Sequence, residues 1–202
     1  PLFALGYGLS YGDPGALAEL SEVSGLEGQD ENVHGVFFSK GELMAPWMLV
    51  GDGSPLGALP IETGDLSIQK TDRNAQEDSL RVDFKSAETV FAIAAGYEHD
   101  FSRESNGAME LTFQARSFGE DATIQFGMDC DPDRACPASL PVTLGSEWRE
   151  VRLTLSCFAD RGTRMQEIES ALTAQAAAGT SIGLAEVHIA ADLNAVADCG
   201  DE

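Results

Sequence analysis

The sequence predicts an all-β protein, a two-sheet β-sandwich jelly roll with one or two short helical turns. Three observations carry this expectation. Apolar residues recur with period two in segment after segment. Clusters of turn-forming residues separate those segments at short intervals. About ten short strands at such spacing suit two packed sheets.

Along the chain, the first dozen residues, PLFALGYGLSYG, stand apart: they are Gly-rich, hold Tyr7 and Tyr11 and carry no charge. Residues 13–32 read as a linker with one amphipathic turn, in which Ala16, Leu17 and Leu20 share a face and Asp13 caps ahead of Pro14. Then the period-two segments begin. LRVDF places Leu80, Val82 and Phe84 on one face, and AMELTFQAR does so with Met109, Leu111, Phe113 and Ala115. TIQFGM aligns Ile124, Phe126 and Met128, and EVRLTLSC aligns Val151, Leu153, Leu155 and Cys157. Shorter strand candidates are HGVFF, PWMLV, DLSIQ and TVFAIAA, with turns at GDGSP, SNG, FGED and GTS. The polar stretches 51–64 and 69–79 look too long for simple hairpins and are candidate functional loops.

One stretch is ambiguous. Residues 164–178, RMQEIESALTAQAAA, have high helix propensity, yet a hairpin of ALTAQAA with SIGLAEVHI is equally consistent. A short helical turn at 164–169 followed by a strand is preferred, because an all-β context overrides propensity. Alternation slips between Leu184 and Val187, which marks a bulge.

Lys and Arg total 12 against 34 Asp and Glu, a formal charge of −22. Such a surface repels phosphate backbones and anionic membranes, so neither nucleic acid nor membrane is an expected partner. No apolar run reaches the roughly 18 residues of a membrane span. The chain opens at Pro1 with neither Met nor a charged-then-apolar leader, and reads as a piece of a longer protein with no visible targeting signal.

Cys130, Cys136, Cys157 and Cys199 make an even set. A Cys130–Cys136 ring would contribute about 2.4 kcal/mol and a Cys157–Cys199 loop about 4 kcal/mol by chain entropy, the latter pinning the C-terminal tail. Free thiols are the alternative, and the sequence does not fix the pairing. Zinc would need CxxC or close Cys/His pairs, and neither occurs. Disulfides would point to an oxidising compartment, the periplasm, cell surface or medium.

Nothing in the chain has the pattern of an active site. There is no GxSxG elbow, phosphate loop or dinucleotide fingerprint. His34, His99 and His188 are scattered and read as structural. With so many carboxylates, any glycosidase-like pair is uninformative. No cofactor is expected; a structural calcium is the one for which the sequence leaves room. Asp129, Asp131 and Asp133 have D-x-D-x-D spacing, but no Gly at the sixth position or Glu at the twelfth completes a calcium loop. Trp47, Tyr97 and Trp148 are the candidate carbohydrate contacts, because aromatic faces match the apolar faces of pyranoses. Against that, Trp47 sits in an apolar run that suits core packing, and Trp148 falls out of phase with Val151 at a strand start. In DFSRESNG, Asp100, Arg103 and Glu104 suggest an ion-pair network and Asn106-Gly107 a turn.

The opening run, through Phe3, Gly6, Tyr7, Gly8, Leu9, Ser10 and Tyr11, resembles the motif that closes the α/β sandwich domain of family-three glycoside hydrolases. Residues 30–196 resemble the galactose-binding-like C-terminal domain of bacterial exo-β-glucanases and β-glucosidases of that family. APWMLVGD (45–52), DFSRESNGAMELTF (100–113), EWREVRLTLSCFADRG (147–162) and SIGLAEVHIA (181–190) carry the resemblance. Where related domains place a Trp-containing strand, this chain has RVDFKSAETVF. The resemblance implies 1–12 as the end of a preceding domain, 13–32 as linker and 33–202 as the accessory sandwich. It also implies a periplasmic or secreted parent that removes glucose from β-1,3- and β-1,4-linked glucans with retention. That parent's nucleophilic Asp and acid/base Glu would precede Pro1, so this chain alone is expected to be inactive. Its partners would be the catalytic domains of the same chain and, in the alternative role of a carbohydrate-binding module, β-glucan itself.

Overall fold

The computed structural model describes residues 33–130, 138–191 and 199, with the backbone alone for Val33, His34, Asp129 and Cys130. The N-terminal motif, the linker with its Asp13 turn, Asp131, Asp133 and Cys136 lie outside the described residues. The calcium and Cys130–Cys136 expectations therefore fall outside them too.

Among the described residues the strands are β1 (Val33–Ser39), β2 (Glu42–Leu43), β3 (Met48–Gly51), β4 (Ser54–Pro55), β5 (Ile61–Glu62), β6 (Leu66–Thr71), β7 (Ser79–Phe84), β8 (Val90–His99), β9 (Met109–Ser117), β10 (Ala122–Cys130), β11 (Ser139–Leu144), β12 (Arg149–Thr154), β13 (Ile168–Gln175) and β14 (Ser181–Ala191). Two short helices interrupt them, α1 (Ser102–Asn106) and α2 (Leu155–Asp160). One sheet runs β12-β9-β14-β7-β6-β5, with β1 alongside β14 and β2 on β1; the other runs β11-β10-β13-β8-β3-β4. All pairings are antiparallel, as the expected sandwich requires.

The period-two residues fill the space between the sheets. Leu80, Val82, Phe84, Leu111, Phe113, Ala115, Ile124, Phe126 and Met128 are all essentially inaccessible. Phe113 on β9 meets Phe126 on β10 with ring centroids 4.7 Å apart, joining the two sheets directly. Each fully buried Phe contributes about 2 kcal/mol of transfer free energy.

β14 is the spine of its sheet. Its first half pairs β7, its second half pairs β1, and β9 runs along its other edge. The slip read between Leu184 and Val187 is a bulge, with the register shifting between Ala185 and His188 and Glu186 at φ +52°. That backbone conformation costs a non-glycine residue about 1 kcal/mol. The Glu186 carboxylate offsets it by accepting hydrogen bonds from Ser39 Oγ at 2.7 Å and Lys40 N at 3.1 Å, which also tie down the β1–β2 turn.

Four local expectations change. EVRLTLSC is a strand only to Thr154; Leu155 and Cys157 belong to α2, where Leu155, Cys157 and Phe158 are buried. Apolar residues at those positions satisfy both periods, so alternation alone could not end the strand. Residues 164–167 form a single turn, with Glu167 N bonded to Arg164 O, rather than a helical segment to 169. β13 then follows as a strand, but it does not pair with β14: the two lie in different sheets. The 69–79 stretch is a hairpin after all, closed by the Thr71–Ser79 pair. Its tip is organised by the buried Asp78 carboxylate, which accepts from Arg73 N (2.6 Å), Asn74 N (2.9 Å) and Ala75 N (2.9 Å). Burial acts to raise the Asp78 carboxyl, but these backbone bonds and the nearby Arg73 charge hold it below its ordinary value.

The Cys157 and Cys199 sulfurs are joined in a disulfide. Arg161 reinforces the closure, donating to Cys199 O at 3.1 Å and Ser139 O at 3.0 Å. Asp100 does not pair with Arg103; its carboxylate accepts from Ser102 N at 2.9 Å and Ser102 Oγ at 2.6 Å, and these bonds lower its pKa. Among the described residues no salt bridge joins Asp100, Arg103 or Glu104.

Candidate functional site

The three candidate aromatics separate: Trp47 is a core residue linked through His99 to the exposed Tyr97 on β8 of the six-stranded sheet, while Trp148 lies against the eight-stranded one.

On the six-stranded sheet, β8 turns Phe91 and Ile93 into the core and leaves Ala92 and Ala94 facing outward. With Met48 and Val50 of β3 and Thr173 of β13 they floor a groove of ≈ 330 Å³. Small side chains make the floor shallow; Asp52, Glu169 and Ser170 supply polar groups. Near one end the ladder breaks. Ser170 pairs with Ala94 and Ile168 with His99, so two steps along β13 span five along β8. The surplus residues form a bulge that includes Gly96, whose φ of +73° an L side chain would resist. Tyr97 rides on this bulge and is 53% exposed.

Beneath it lies a stack. Tyr97 packs on His99 with centroids 4.6 Å apart, and His99 packs on Trp47 at 4.7 Å. Phe37 meets Trp47 edge-on at 4.7 Å, and Phe101 continues the stack at 6.0 Å from His99. Trp47 itself is buried, so what it contributes to this face passes through His99 to Tyr97. Burial holds the His99 pKa below its ordinary value, and its Nε2 is buried without a partner among the described residues. A neutral imidazole stacks without the cost of burying charge. His188 is structural, its Nδ1 lying 2.9 Å from Glu186 O; the His34 side chain is outside what is described.

On the eight-stranded sheet, Gln69, Arg81, Gly183 and Arg116 stand directly across β6, β7, β14 and β9 in one row. Gly183 leaves a notch in that row and the Trp148 indole fills it. A Cβ there would come within 2.6 Å of the indole. Arg116 lies 4.7 Å from the Phe118 ring centroid and 6.0 Å from that of Trp148. Arg81 lies 4.9 Å from Phe118 and Arg73 5.9 Å from Trp148. Sequence reasoning named Trp148 and missed its arginines. They come from β7, β9 and the 72–78 loop, which only the sheet order brings together.

Among the described residues no group of three or more His, Cys, Asp or Glu side chains is placed to hold a metal ion. No helix among them is long and apolar enough to cross a membrane.

Solved structures match the fold at low identity. The exo-1,3/1,4-β-glucanase from a Pseudoalteromonas species aligns over 84% of this chain at 15% identity and a TM-score of 0.57. The present chain spans 21% of that enzyme. The extra C-terminal domain of the same enzyme, solved alone, aligns over 84% of this chain and 99% of its own length, again at 15% identity and a TM-score of 0.57. A family 11 carbohydrate-binding module from Clostridium thermocellum, solved with a β-1,3-1,4-mixed-linked tetrasaccharide, aligns over 81% of this chain and 99% of its own at 11% identity and a TM-score of 0.53. Among curated proteins none matches in sequence. The Exop_C family model, galactose-binding domain-like, matches residues 45–189, and the chain belongs to that family.

Proposed function

We propose that this chain is the non-catalytic C-terminal accessory domain of an exo-acting β-glucan hydrolase, where it supports the catalytic domains that precede it in the same chain. The observation that carries the reading is the asymmetry of the match: nearly all of an extra C-terminal domain, but only 21% of the glucanase that bears it. The organisation of the polar loops supports it. The 72–78 tip is fixed by Asp78, and the 51–64 stretch is held by the exchange between Asp52 and Val90, N to O at 3.0 Å and N to Oδ1 at 2.9 Å. Loops ordered in this way can present a fixed surface to the mouth of a neighbouring active site. The Cys157–Cys199 disulfide supports a periplasmic or secreted parent. The direct test incubates this chain with laminari- and cello-oligosaccharides. It should release no glucose, and release would overturn the reading.

A second role, β-glucan binding, is favoured by one observation: Tyr97 is exposed and follows Gly96, which lines a groove with a small-residue floor. Calorimetric titration with the same oligosaccharides separates the two. Saturable binding tighter than about 1 mM, about −4 kcal/mol, that disappears in Tyr97→Ala would make this a binding module. Absence of heat would leave the supporting role.

A further inference from the structure

We infer that the Trp148 face of the eight-stranded sheet binds an anionic sugar chain, a pyranose oligomer carrying carboxylate or sulfate groups. This inference does not depend on the accessory-domain reading and concerns the face opposite the Tyr97 groove.

The chain carries 12 cationic side chains and a net charge of −22. Three of its arginines, Arg73, Arg81 and Arg116, nevertheless gather around two rings, Trp148 and Phe118. Arg81 is paired, its Nε donating to Asp83 at 2.8 Å and its Nη2 reaching Ser181 Oγ at 3.4 Å. Among the described residues Arg116 makes one long hydrogen bond, from Nε to Ser117 O at 3.4 Å. Among the described residues neither Arg116 nor Arg73 forms a salt bridge. A guanidinium stacked on a ring keeps its in-plane N–H donors for another acceptor. The rings, by contrast, are only half exposed, and Trp148 is seated over Gly183. What this face presents is donor edges rather than open aromatic surface, which selects for an anion over a neutral glucan.

The surroundings indicate the carrier of that anion. The neighbouring outward positions are Gln69, Ser67, Asp83 and Ser181, polar groups rather than the apolar centre of a protein interface, and the Asp83 carboxylate is already engaged by Arg81 and Ser181. A cleft of ≈ 400 Å³ adjoins the cluster, formed by residues 117–122 and 178–181 and sharing Phe118 and Ser181 with it. That volume lies within the ordinary range for small-ligand sites. Its lining includes Glu120 and Asp121, which would accept hydrogen bonds from sugar hydroxyls. The overall negative charge opposes a long polyanion, but that repulsion is screened beyond about 10 Å at 0.1 M salt, while contacts to guanidinium are local.

The test is calorimetric titration of this chain with three probes: a mannuronate tetrasaccharide, a sulfated laminaritetraose and neutral laminaritetraose. At least one acidic probe should bind saturably, and the neutral probe should not displace it. Binding should weaken about tenfold in Arg116→Gln and in Arg73→Gln, and should fall further as salt is raised. Preference between the acidic probes identifies carboxylate or sulfate as the source. Circular dichroism checks folding, and Arg73→Gln in the loop keeps the test valid if Arg116→Gln unfolds the sheet. The proposal is overturned if neither acidic probe binds, if neutral laminaritetraose competes equally, or if both variants bind as the parent does. An acidic protein surface would then be the better occupant.

Discussion

The two outer faces of this sandwich grow from the same period-two strands and present their aromatics in opposite ways. On the six-stranded sheet, extra residues in β8 take Tyr97 out of the ladder, and a half-buried imidazole stacked on a buried indole packs against it. On the eight-stranded sheet, a missing side chain at Gly183 lets Trp148 sink in, and arginines close around it. One ring is exposed because the backbone has surplus residues, the other half covered because a residue lacks a Cβ. Ring chemistry alone would have ranked the two alike. Backbone irregularity decides which is a platform and which is a scaffold for charged groups.

The comparison assumes a shared rigid core, and the largest effect should come from breaking it. Phe126→Ala removes the ring that meets Phe113 across the sheets and should cost about 3–5 kcal/mol in urea unfolding, loosening both faces together. Opening the Cys157–Cys199 disulfide by a double alanine substitution should cost about 2–4 kcal/mol. It should leave the Tyr97 stack intact, because that stack is built from β1, the β2–β3 connection, β8 and Phe101.

Two smaller changes separate the faces. Gly183→Ala should drive the indole out of its notch at about 1–3 kcal/mol and red-shift Trp148 emission. Gly96→Ala meets nothing closer than Met48 Cε at 3.7 Å and should cost only the backbone strain of its positive φ, about 1 kcal/mol. The smallest effect is titration of His99. Its folded pKa lies below the unfolded value of about 6.5. Its contribution to stability is therefore complete above that value and is lost as pH falls through the folded pKa. NMR titration of the ring should give a pKa below 6.5, and His99→Leu should remove the pH dependence of stability in that window.

Much of the fold was legible because a half-buried strand announces itself. Leu80, Val82 and Phe84, or Ile124, Phe126 and Met128, alternate cleanly and are buried as read. The slip at Glu186 was legible for the same reason. The widening in β8 was not, since Ala94, Ala95 and Gly96 are too small to mark a face. The β13–β14 connection was misread because a Gly turn between two strands does not say whether the chain stays in one sheet or crosses to the other. At the candidate site, Tyr97 stood out as an aromatic ring, and Trp148 through its phase. Their partners, His99 on one face and Arg73, Arg81 and Arg116 on the other, come into contact only through bulge geometry and strand order.

In the proposed role this sandwich supports a hydrolase without taking part in its chemistry. Deleting residues 32–202 from the full-length protein, and following thermal unfolding and glucose release from a small β-glucoside, tests it most directly. The remaining catalytic domains should melt at a lower temperature and turn over more slowly, with partial recovery when the separate domain is added back. Unchanged melting and unchanged turnover would contradict it.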